Sequence, residues 1–221
     1  MTVPLLAAAH GTRSVAGLAT IRALIDQVRR ARPDLDVDLC FLDVLRPRLA
    51  ERLDATPGPA VVVPVLLSAG YHVLDDIPAT AAARARIARH LGPHPSITQV
   101  LAERLASAGG DAADVVALVA SPSTRASAEH DRARAATDLA AALGRPVHAL
   151  TVGDSLAASL ARLPGRVAVA TYLISEGHFH DALREATATA GIAAVAEPLG
   201  AHPAIAALIA QRYDDAADLA R

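Results

Sequence analysis

Two histidines stand close to glycine in the loops that follow short apolar runs: His10-Gly11 follows Val3 to Ala9, and Gly70-Tyr71-His72 comes after Val61 to Leu67. A carboxylate, Asp43, follows a third run that ends in Phe41-Leu42. Two imidazoles and one carboxylate suit a borderline divalent metal such as Fe, Co, Ni or Zn. They are too few to saturate it, so a position stays open towards a substrate. A neutral imidazole also takes up a proton near neutral pH. Asp43 taken alone reads rather as a turn or cap residue. Arg13 and Arg125 each precede a helix-like segment, and Arg46 and Arg48 follow Asp43. A guanidinium beside a helix N-terminus suits a carboxylate or phosphate, although each of these arginines singly also reads as a solvated side chain. Tyr71 is an aromatic candidate for the same rim.

These residues need elements to hold them. Short branched apolar runs alternate with longer amphipathic stretches, the pattern of βα units around a buried parallel sheet. Strands are expected at 3–9, 36–42, 60–67 and 85–89, with helices at 14–31, 47–54, 75–83 and 96–107. The second half repeats the pattern: strands at 114–120, 146–151, 166–173 and 192–196, helices at 124–143, 154–162, 179–190 and 203–218. In such sheets the loops at the carboxyl ends of the strands bind ligands.

The two halves echo each other in sequence. Thr12-Arg13 matches Thr124-Arg125, Val61 to His72 matches Val167 to His178, and Leu91-Gly92-Pro93-His94-Pro95 matches Leu199-Gly200-Ala201-His202-Pro203. A tandem duplication follows, with lobes at 1–109 and 110–221 joined by the Gly-rich stretch Ser107 to Asp111. In the second lobe Pro122 replaces His10, and Glu176-Gly177-His178-Phe179-His180 replaces the loop of His72. His178 and His180 either serve the same substrate or are helix N-terminal residues without a ligand role. The matched His94 and His202, each before Pro at a helix start, suggest shared capping. His90, His130 and His148 read as surface residues.

Composition narrows the field. The chain has 221 residues, 21 basic (all Arg), 23 acidic and a formal charge of −2, so it lacks the basic field of a non-specific nucleic-acid binder. Five aromatics leave little for base stacking. A lone cysteine, Cys40, excludes a disulfide framework and a Cys-rich metal centre. No apolar run approaches the roughly 20 residues that span a bilayer. The stretch Met1 to Ala9 lacks the basic start of a signal peptide, and a cytoplasmic location without a membrane partner is expected. Gly153-Asp154-Ser155-Leu156 spells a serine-esterase motif, but it follows the second strand of the second half rather than the first strand of the chain, and no Asp-x-x-His comes after it. A phosphatase of the Arg-His-Gly type is excluded by Ala9.

Taken together, Leu6-Ala7-Ala8-Ala9-His10-Gly11-Thr12-Arg13, Pro64 to Val73 with Asp76-Ile77-Pro78, and Leu91-Gly92-Pro93-His94-Pro95 resemble the sirohydrochlorin chelatases. These are class II tetrapyrrole chelatases, related to the cobaltochelatase of anaerobic cobalamin synthesis. The resemblance implies two Rossmann-like lobes with the active site in the cleft. It implies ATP-independent insertion of Fe²⁺ or Co²⁺ into sirohydrochlorin, for sirohaem or cobalamin, by a monomer or homodimer. His10 and His72 would be the metal-binding and catalytic residues, and Asp43 stands where relatives often carry Glu. Arg13, Arg46, Arg125, Tyr71, His178 and His180 would meet the carboxylate-rich tetrapyrrole. No P-loop pattern occurs, as expected of an enzyme that uses no nucleotide. The competing expectation is a cytoplasmic metal or tetrapyrrole carrier without turnover.

Overall fold

The computed structural model describes residues 3–218. They form two parallel four-stranded sheets flanked by helices. β1 (Leu5–Ala9), β2 (Val37–Phe41), β3 (Ala60–Val65) and β4 (Ala85–Ile87) make one, in the order β2-β1-β3-β4. β5 (Val115–Ala120), β6 (Val147–Thr151), β7 (Val167–Tyr172) and β8 (Ala194–Val195) make the other, in the matching order β6-β5-β7-β8. The shared order carries the sequence repeat into topology.

The inner strands β1, β3 and β5 are buried at every residue, which is why they read as unbroken apolar runs rather than alternating ones. Pro64 is tolerated in β3 because β4 stops opposite Val62, so the missing N–H lies beyond the paired stretch on that side. Helix α1 (Val15–Ala31) starts at Ser14, whose hydroxyl accepts the Gly17 N–H at 3.1 Å, and it buries Ile21, Leu24, Ile25 and Val28 on one stripe. α2 (Leu49–Ala55) and α3 (Ile77–Ala81) cover the opposite face, closing Leu49, Leu53, Ile77 and Ala81 over Leu6, Cys40 and Val62. The expected helix at 75–83 begins earlier and in a different form. A π-helical turn over His72–Asp76 leads into α3, and a 3₁₀ turn, Ala82–Arg84, follows it.

The packing units do not coincide with the sequence repeat. One compact unit is Met1–Gly92 with Ala201–Arg221; the other is Pro93–Gly200. The expected boundary at 109/110 does not divide the packing. α4 (Pro95–Ser107), the last helix of the first repeat, packs on α5 (Ala126–Leu143) and β7 of the second unit. α8 (Pro203–Asp218), the last helix of the second repeat, packs on α1, β3 and β4 of the first. The chain changes unit at the two matched Leu-Gly-x-His-Pro segments. Each of these starts its helix with a histidine cap: His94 Nδ1 accepts from Ser96 N–H at 3.2 Å, and His202 Nδ1 from Ala204 N–H at 3.1 Å. The shared capping role expected of this pair is thus present.

α6 (Leu156–Ala161) and α7 (His178–Thr189) complete the second unit. No helix among the described residues is long and apolar enough to cross a membrane.

Candidate active site

The order β2-β1-β3-β4 reverses direction between β1 and β3, so the crevice at their carboxyl ends is the switch point where open α/β sheets bind ligands. His10 follows β1 and His72 follows β3. Their rings meet, with centroids 4.8 Å apart and planes at 47°. Tyr71 stands edge-on to His72 at 5.8 Å and is 58% exposed.

The backbone around His10 explains the glycine beside it. Gly11 has φ +98, and a Cβ there would lie 2.2 Å from the Asp43 carbonyl oxygen. The loops after β1 and β2 are laced together by Leu42 N–H to Ala9 O and Asp43 N–H to His10 O, both 2.9 Å. Beyond Asp43 the chain turns sharply through Val44 at φ +65, a left-handed conformation that costs a β-branched residue roughly 1–3 kcal/mol. A cis peptide, Arg46-Pro47, follows. Asp43 steadies this turn: its Oδ1 accepts from Val44 N–H at 2.7 Å and from Arg48 Nη1 at 3.1 Å. Those two donors, the Val44 N–H first, hold the Asp43 carboxyl below the usual carboxylate range. His10 is held below the ordinary imidazole value of 6.5, chiefly by desolvation and then by the neighbouring His72, against the opposing pull of Asp43.

His72 is oriented by a residue that was not singled out from the sequence. Its Nδ1 lies 2.8 Å from Asp76 Oδ2, four residues on, and both side chains are partly shielded. Spacing at i,i+4 would have revealed the pair had the segment been read as helical from His72. Among the described residues no group of three His, Cys, Asp or Glu is placed to hold a metal ion. The structure brings His10 and His72 together, and Asp43 lies on the neighbouring loop, its charge acting on His10 while its Oδ1 accepts from Val44 and Arg48.

Other expected residues sort differently. Arg13 is exposed just before the cap of α1. Arg46 is exposed and paired with Glu51, which also accepts the Arg48 backbone N–H. Arg125 is the exposed N-cap residue of α5, in the other unit. His178 begins α7 in that unit, is exposed, and lies with its ring 5.4 Å from that of Phe179 at a tilt of 51°. His180, also expected to meet the substrate, is only 6% exposed on α7, with Nε2 3.9 Å from Glu197. His90 is likewise buried rather than a surface residue, and its carbonyl accepts from Arg212 Nε at 3.0 Å. Cys40 lies inside the core, its thiol pushed up to about 12 by burial, and is inert. Four of the five large apolar side chains that stay exposed among the described residues, Val15, Val44, Tyr71 and Leu74, lie on the segments following β1, β2 and β3.

Comparison with known proteins bears on the fold. The CbiX family model matches residues 4–108, the stretch that holds both histidines. No curated protein matches the chain in sequence. The chain is similar in fold to the sirohydrochlorin chelatase SirB from Bacillus subtilis subspecies spizizenii in complex with cobalt: 18% identity, 99% of this chain and 96% of that one, TM-score 0.82. SirB from Bacillus subtilis with Fe³⁺ gives 17% identity, 100% and 98% coverage and a TM-score of 0.78. CbiX, described as the terminal enzyme for siroheme biosynthesis in denitrifying bacteria, gives 22% identity, 96% and 99% coverage and a TM-score of 0.76. The expected fold of two sheets flanked by helices is the fold of these chelatases.

Proposed function

We propose that this chain, similar to the chelatases in its N-terminal family match and its whole fold, inserts Fe²⁺ or Co²⁺ into sirohydrochlorin. The observation that carries the proposal is the pair of imidazoles 4.8 Å apart at the switch point of the first sheet. Metal insertion exchanges one divalent cation for the two pyrrole N–H protons, so the site must hold the metal and accept protons. Nucleotide energy is not required for that exchange.

The site residues divide these tasks. A neutral imidazole binds a borderline metal through its free ring nitrogen and releases it again, because two nitrogens do not saturate the ion. His10, held below its ordinary pKa, stays neutral and ready for either task. Asp43 supplies negative charge beside His10 while its own oxygen is engaged with Val44 and Arg48. Val44, Tyr71 and Leu74 offer an apolar rim to the flat macrocycle. Arg13 and Arg46 are the nearest candidates in sequence for its peripheral carboxylates. Arg125 and His178 belong to the other packing unit, and the proposal does not depend on them.

The paired but unsaturated imidazoles favour transfer over storage, which a closed ligand set would serve better. Anaerobic incubation of the protein with sirohydrochlorin and Co²⁺ or Fe²⁺, followed by macrocycle absorbance, separates the two functions. Metallation faster than in buffer is expected. Tight stoichiometric binding with metallation no faster than in buffer would instead assign a carrier.

A further inference from the structure

We infer that Asp76 is a positioning residue, whose carboxylate holds Nδ1 of His72 so that this imidazole presents an unprotonated Nε2 to the incoming metal. The inference deepens the proposed chelatase function and rests on it for the word metal alone; the tautomer itself follows from geometry. An ionised carboxylate only accepts hydrogen bonds. With Asp76 Oδ2 at 2.8 Å, the proton of neutral His72 must sit on Nδ1, which leaves the lone pair on Nε2. Carboxylates that grip the second nitrogen of a metal-binding imidazole fix its tautomer and its orientation together.

The local fold has been bent to make this contact. Pro78 follows Asp76 by two residues, and its ring would clash with the carbonyl four residues back, that of Leu74, in a regular α-helix. The chain answers with the wider π turn over His72–Asp76, closed by Ile77 N–H onto the His72 carbonyl. Ile77 is fully buried, so the residue next to Asp76 is clamped into the core. The histidine, the aspartate and the proline of His72-Val73-Leu74-Asp75-Asp76-Ile77-Pro78 thus form one device. His10 has no comparable side-chain hydrogen bond, so the two rings of the pair are not equivalent.

Ring-nitrogen NMR on the nitrogen-labelled apo protein, above the ordinary imidazole titration range, reads this directly. His94 and His202 accept backbone N–H bonds at Nδ1, so both must carry their proton on Nε2. They serve as internal references of the opposite tautomer. His72, assigned by its loss in His72→Ala, is expected to show the Nδ1–H form in the wild type. In Asp76→Ala it is expected to move towards the Nε2–H form while the two capping histidines stay unchanged. Asp76→Asn retains an acceptor oxygen and is expected to keep the wild-type tautomer. In metallation assays Asp76→Ala should lower kcat about 10–100-fold with KM for the tetrapyrrole unchanged, and Asp76→Asn should recover most of the loss. An Nε2–H tautomer of His72 in the wild type, which needs no variant to fold, would overturn the inference. So would an unchanged His72 signal, or an unchanged kcat, in folded Asp76→Ala. Should the wild type fail to metallate at all, the chelatase function falls while the NMR result still decides the role of Asp76.

Discussion

Gly11 ties His10 to the loop after β2, because its left-handed backbone lets the Asp43 carbonyl come where any Cβ would be. Gly11→Ala should therefore destabilise the protein by on the order of 2 kcal/mol or more and slow metallation as the two loops separate. Denaturant melts with parallel rate measurements check both; unchanged stability would mean the loop relaxes freely. His10 makes a second prediction at this scale. Its folded-state pKa is depressed, so the neutral form persists as pH falls through 6.5 and is lost only below it. An NMR titration should place its midpoint under 6.5, and replacing His72 with Ala should move that midpoint up, because His72 is one of the groups depressing it. A wild-type midpoint at or above 6.5 would contradict the electrostatics described for the pair. The histidines and their glycine partners were legible in the sequence because both stand at the ends of unmistakable buried strands. Asp76 was not, since its meaning depends on a helical turn that begins at His72. The amphipathic pattern marks a helix only from residue 75, which leaves His72 in the loop before it and hides the i,i+4 pair.

At the scale of elements, strand and helix positions followed from periodicity to within a few residues, because the inner strands are buried on both faces and α1 carries a clean apolar stripe. The repeated Leu-Gly-x-His-Pro segments were legible as helix starts for a local reason: a side-chain acceptor two residues before the first free N–H is a short-range feature. His94→Ala and His202→Ala should each cost about 1 kcal/mol of stability and leave the rate of metallation unchanged, with Asn at either position restoring much of the loss. A large loss of metallation without loss of stability would give these histidines a role other than capping. His90 was misread because what surrounds it comes from afar; its carbonyl is held by an arginine 122 positions later in the chain.

In the whole molecule, the two sequence repeats exchange their last helices. α8 buries Ile205, Leu208, Ile209 and Tyr213 in the first unit, and its Arg212 guanidinium, about nine-tenths buried, donates to the His90 and Leu91 carbonyls. Arg32 adds a pair with Asp214, and the Tyr213 hydroxyl donates to the Val3 carbonyl at 2.6 Å. A chain ending at residue 109 should therefore fail to fold by circular dichroism and proteolysis, because it lacks the helix that closes its core. Supplying residues 110–221 as a separate chain should restore a protease-resistant complex. A stable, folded 1–109 fragment would show that α8 is dispensable to the first unit. This exchange was not legible because repeat boundaries record duplication, whereas packing is decided by which apolar face meets which. The same sheet, closed by a helix from the far end of the chain, sets the loops on which His10 and His72 meet. The central claim is that this pair carries the metallation. Its most direct test is the initial rate of Co²⁺ insertion into sirohydrochlorin under anaerobic conditions, compared among wild type, His10→Ala and His72→Ala. Each single variant should lose about a hundredfold or more in rate while keeping the wild-type fold; full wild-type rates in both variants would contradict it.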